Sequence, residues 1–95
     1  MRLYVSGNYY KASEQWLKIK GYEILNPCQV VDQLESLTDT ERMRLRHFLI
    51  DCCDAVFMTC EWQDNEIANN EIAYAKSLGK KIIYEGYYRK RSKIQ

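Results

Sequence analysis

The chemistry this chain could perform collects on one acidic side chain, Glu71, in the run Glu66 to Leu78. On a 3.6-residue wheel Ala68, Ile72, Ala75 and Leu78 share an apolar stripe, and Glu71 falls inside it. A carboxylate turned toward a core costs several kcal/mol unless it is paired or hydrogen-bonded. Near the start of a helix the backbone dipole favours its negative charge. Two roles fit. Glu71 is a ligand-facing carboxylate, or it is a structural acid satisfied by Arg46 or Tyr4.

Other residues could share a site with it. Ser6-Gly7-Asn8 follows a short apolar run, and Gly7 permits a tight turn that other residues resist. Trp62, on the polar stretch Cys60 to Asn65, could stack on a planar ligand or cover a sheet edge. Asp64 and Asn65 suit helix caps. His47 fits a surface or interface position better than a catalytic base. Cys28, Cys52, Cys53 and Cys60 contain no C-x-x-C pair, so they read as buried free thiols, and no metal or cofactor is expected.

The elements that must position these side chains alternate. Arg2 to Ser6 reads as a strand, and Tyr9, Ala12, Trp16 and Ile19 then recur at helical spacing until Gly21. Tyr22 to Leu25 is a second strand, closed by Asn26-Pro27. Val30 to Leu37 could be a short helix or a packed loop. Thr38-Asp39-Thr40-Glu41 fits a capping box that opens a helix. Leu45, Phe48, Leu49 and Cys52 form one face of that helix. Met43, His47 and Ile50 form a narrower opposite strip, whose neighbour is a second subunit or the 30–37 loop. Cys53 to Thr59, the helix from Glu66 to Leu78, and Ile82 to Tyr84 complete the order β-α-β-loop-α-β-α-β.

Such alternation predicts an α/β fold, Rossmann-like (flavodoxin-like) and three-layered. Its four-stranded sheet is mostly parallel, with helices on both faces. Residues 1–86 form a single domain, and 87–95 a basic, aromatic tail. With 95 residues, 46% hydrophobic, and a net charge of +1, the chain is an ordinary globular domain. The balanced charge argues against nucleic-acid or membrane partners. No run is long enough to span a bilayer and no signal peptide opens the chain, so a cytoplasmic location is expected.

Several motifs carry a family resemblance in their order. They are Tyr4-Val5-Ser6-Gly7, Gly21 to Pro27, Cys53 to Met58, Trp62-Gln63-Asp64 and Glu71-x-Ala73-x-Ala75-x-x-Leu78-Gly79. Together the chain resembles DUF4406-type small proteins, a group related to the nucleoside 2-deoxyribosyltransferases and deoxynucleoside-monophosphate N-glycosidases. The resemblance implies a glutamate nucleophile that attacks C1′ of a deoxyribose and passes the sugar to another base or to water. By position Glu71 matches that nucleophile and Tyr4 the tyrosine that orients it. Ser6, Gly7, Asn8 and Tyr9 fall on the loop lining the nucleoside pocket, with Trp62, Asp64, Asn65 and Ala68 as further ligand-binding positions. The implied partner is a nucleoside or nucleotide.

Three positions depart from the family pattern. Arg46 stands where the family usually carries an aspartate that handles the base. Asn65-Glu66-Ile67 replaces a small turn with glycine, and the loop after the first strand has one glycine and no proline. The alternative is a non-catalytic nucleotide-binding module on the same fold. Met43, His47 and Ile50 further predict a homodimer or higher homo-oligomer.

Overall fold

The structure, a computed structural model, describes residues 1–7 and 11–85. Strand β1 (Arg2–Ser6) leads to helix α1 (Lys11–Ile19), then to β2 (Glu23–Leu25) and a 3-10 turn (Pro27–Gln29). Helix α2 (Asp39–Asp51), β3 (Ala55–Met58), a second 3-10 turn (Trp62–Asp64), α3 (Glu66–Ser77) and β4 (Lys81–Tyr84) follow. The strands make one all-parallel sheet in the order β2-β1-β3-β4. This is the three-layer α/β architecture expected.

Because the order runs outward from β1 in both directions, right-handed crossovers put α1 on one face of the sheet and α2 with α3 on the other. Two cores result. Leu3, Val5, Ala55, Phe57 and Ile83 pack with Leu17 of α1. Tyr4, Val56 and Met58 pack with Ile50 of α2 and Ala68, Ile72 and Ala75 of α3. Each large apolar side chain withdrawn fully from water contributes roughly 1.5–3 kcal/mol.

The helix termini follow the sequence signals. Thr38 Oγ1 accepts from the Glu41 N–H, and the Glu41 carboxylate accepts from the Thr38 N–H, which holds that carboxyl below its usual range. Gly79 (φ +71) closes α3: its N–H bonds Lys76 O, and the Lys80 N–H bonds Ala75 O.

The faces of α1 and α2 differ from expectation. Helix α1 buries Ser13 and Leu17, whereas Trp16 and Ile19 are exposed and Lys20 sits over the Trp16 ring. On α2, Ile50 is fully buried while Phe48 is 60% exposed and Cys52 is exposed. Two arginines explain the second difference. Arg42 donates to the carbonyls of Val31, Leu34 and Glu35 and so ties down the 30–37 segment, a loop of turns in which only Val31 is buried. Arg46 is largely covered, its side chain 15% exposed. An apolar-face rule cannot register an inward arginine. Of the strip Met43, His47 and Ile50, Ile50 packs into the core of the same chain and His47 stacks on Tyr74 of α3 with ring centroids 3.9 Å apart, whereas Met43 is exposed.

Candidate functional site

Alternation along β1 decides which side chains meet α3. Leu3 and Val5 face α1, so Tyr4 and Ser6 face the opposite layer. Asn65 caps α3, its Oδ1 accepting from the Ala68 N–H at 3.0 Å. From that cap the helical period carries Ala68, Glu71, Ile72 and Ala75 onto the sheet. Leu78, expected in the same stripe, is 45% exposed at the helix end.

Glu71 is 3% exposed, and two hydroxyls of β1 hold it. The Tyr4 phenol donates to Oε2, and Ser6 Oγ donates to Oε1 at 2.8 Å. Each carboxylate oxygen therefore keeps a lone pair free. Burial raises the Glu71 pKa above the usual carboxylate value, against the opposing pull of Tyr4, Ser6, Arg46 and His47. Burial and the neighbouring carboxylate push the Tyr4 phenol far above its ordinary range, so it remains a donor throughout physiological pH.

Beside this carboxylate lies an open groove of about 430 Å³ between α2 and the N-terminal half of α3. Glu71, Asn70 and Ile67 line one wall, and Arg46, His47 and Met43 the other. A volume of that size suits a small ligand. His47 Nε2 lies 2.9 Å from Asn70 Oδ1, a contact that pins the ring between the helices. Arg46 makes an ion pair with Asp32 at 3.8 Å and none with Glu71. Neither Arg46 nor Ile67 fills the groove. Its wall residue Glu71 is held by Ser6, the last residue of β1, and β1 and β3 are the neighbours at which the strand order reverses, the usual ligand position in such sheets.

The remaining candidates are placed differently. Gly7 (φ +102) packs against Thr59 and Trp62. Trp62 is half-buried against the core and lies near the Tyr84 ring. Asp64 is exposed in the 3-10 turn, Asn65 is the α3 cap, and Ala68 is fully buried in the core. None of these five lines the groove. Asn8, Tyr9 and the 87–95 tail lie outside the described residues. Of the thiols only Cys53 is buried, its pKa pushed up to about 11 by desolvation; Cys28 and Cys52 are exposed, contrary to a set of buried thiols. Among the described residues no group of three His, Cys, Asp or Glu is arranged to hold a metal.

Sequence reasoning named Arg46 but did not assemble the rest of the α2 wall around it. Its signal was present: Asp39, Arg42, Met43 and Arg46 recur at three- and four-residue spacing and share one helix face.

Fold and site together define a small open-sheet α/β domain with a hydroxyl-held buried carboxylate at the wall of a groove. The chain belongs to the family described as Domain of unknown function (DUF4406), which matches residues 1–84 and so spans Tyr4, Ser6, Arg46 and Glu71. No curated protein matches it.

Proposed function

We propose that this protein is a nucleoside or nucleotide N-glycosidase or 2-deoxyribosyltransferase homologue with Glu71 as nucleophile. The observation that carries this is a carboxylate withdrawn from water, aimed by Tyr4 and Ser6, at the wall of an open groove. A Glu71 oxygen bonds C1′ of the deoxyribose as the C1′–N bond breaks, and the base leaves with that electron pair and takes a proton from solvent. Water, or a second base, then attacks C1′ and frees the carboxylate. Tyr4, always protonated, holds the nucleophile without competing for the proton. Raising the carboxyl pKa makes Glu71 a more basic nucleophile than an exposed acid.

Release of free base from deoxynucleosides or their 5′-monophosphates, followed chromatographically, is the test. Absence of release across guanine, hypoxanthine, adenine, cytosine and thymine would refute the catalytic assignment. One observation favours a non-catalytic nucleotide-binding module instead. Arg46 offers donors to a ligand but no proton to a leaving base near neutral pH. Nucleotides would then raise the melting temperature without turnover.

No described helix is long and apolar enough to cross a membrane. The four free thiols support a reducing compartment such as the cytoplasm. A homodimer or higher homo-oligomer now draws its support from exposed Phe48 and Met43 on α2. Sedimentation at micromolar concentration is expected to give a species above 11.3 kDa, and a pure monomer would end that proposal.

A further inference from the structure

Arg46 is a largely covered cation with one long ion pair and, among the described residues, no hydrogen bond. Its side chain is 15% exposed, and Asp32, its ion-pair partner, is 3.8 Å away, beyond hydrogen-bond length. Among the described residues no acceptor hydrogen-bonds the Arg46 guanidinium. One turn earlier, Arg42 donates to three carbonyls through Nη1 and Nη2. Both line the groove, so what distinguishes Arg46 is an open donor fork beside Glu71. A largely covered guanidinium that presents unused donors to a groove is matched by a ligand that supplies acceptors.

The charge around the groove decides which acceptors fit. Asp39, Glu66 and Glu71 line it against Arg42 and Arg46, with His47 alongside. Three carboxylates against two guanidiniums leave no excess positive charge for an anion. The matching group is uncharged and planar, with two adjacent acceptors, which a guanidinium meets with two parallel hydrogen bonds. Met43 and Ile67 supply apolar surface for a ring beside it.

We infer that Arg46 is the specificity-determining residue of the groove, selecting a nucleobase edge that presents two neighbouring acceptors. That the ligand is a nucleoside rests on the glycosyl-transfer reading above. Two natural base classes carry such an edge: 6-oxopurines at O6 and N7, and cytosine at O2 and N3. Adenine sets an amino donor beside N7, and thymine sets N3–H between its carbonyls.

The test is calorimetric binding of deoxyguanosine, deoxyinosine, deoxycytidine, deoxyadenosine and thymidine to the full chain carrying Glu71→Gln, which prevents turnover. Deoxyguanosine and deoxyinosine, or deoxycytidine, are expected to bind about tenfold to a hundredfold more tightly than the other two. Which of the two classes prevails identifies the base. Arg46→Gln and Arg46→Lys, each checked for fold by circular dichroism, should both flatten that preference. Lysine keeps the charge toward Asp32 but loses the fork, so a merely structural ion pair would survive it. Equal affinity for all five, no binding at all, or a preference that survives both variants overturns the inference. Selective binding with no base release by the wild-type chain would leave the inference standing and remove the glycosyl-transfer reading. Base release indifferent to the base edge would do the reverse.

Discussion

Glu71→Gln is expected to abolish base release while leaving a folded protein that outlasts the wild type at neutral pH. Removing a nucleophile that acts with its orienting partners costs on the order of a thousandfold or more in turnover. Stability moves the other way for an electrostatic reason. The unfolded carboxyl ionises near the ordinary value of 4.5, whereas burial holds the folded one above it. Between those two values the native state keeps a proton that the unfolded state has released. Wild-type stability therefore falls as pH rises from about 4.5 through the folded pKa, and is flat beyond it. Glutamine does not titrate, and its size and one carbonyl oxygen are retained for Tyr4 or Ser6. Urea denaturation of both proteins from pH 4 to 8 measures the difference. An advantage for the variant that grows with pH is expected. A constant difference would mean that Glu71 is not desolvated, and persistent turnover would remove it as nucleophile.

Gly7→Ala carries the second large effect, this one on folding. Gly7 lies at φ +102, where a side chain is strained, and a Cβ there would stand 2.3 Å from Thr59 Oγ1 and 3.5 Å from Trp62 Cβ. Backbone strain of that kind costs about 1–3 kcal/mol, and overpacking roughly another 1–3. Together these remove a large part of a small domain's typical stability of about 5–15 kcal/mol. Thr59 supplies an internal control, because its buried Oγ1 has no hydrogen-bond partner among the described residues. Thr59→Ala alone should cost of order 1 kcal/mol, a lost methyl contact offset by relief of an unsatisfied hydroxyl. In the double variant it should restore the steric share of the Gly7→Ala loss and leave the backbone share. A Gly7→Ala midpoint in urea indistinguishable from wild type would show that the β1 and β3 ends can part at no cost. Displacement of the β1 end would also move Ser6, so the Ser6–Glu71 hydrogen bond should weaken in the single variant.

Local signals named most of the frame. The Thr38–Glu41 reciprocal cap, Gly79 at the end of α3, and alternation through Leu3, Tyr4, Val5 and Ser6 are properties of a few consecutive residues. Each keeps its meaning wherever the segment lies in the molecule. The inward turn of Glu71 was legible for the same reason, since helical period alone sets it among Ala68, Ile72 and Ala75. Its pairing with Tyr4 was expected from family resemblance, whereas the Ser6 contact was not specified.

Apart from Arg46, the α2 wall was not legible. An inward helix face is recognised by apolar residues, and here Arg42 and Arg46 occupy it. Their burial depends on three carbonyls of the 30–37 loop and on Asp32, groups that only the folded chain brings near. Phe48 was consequently expected inside and is exposed. The sequence by itself determined the element order, the parallel sheet and the acid that turns inward, because these follow from periodicity and caps. Only the tertiary structure decided that the acid meets two hydroxyls and an open groove walled by a second helix. Those contacts join residues far apart in the chain, and the geometry of packing, not local preference, sets their distance.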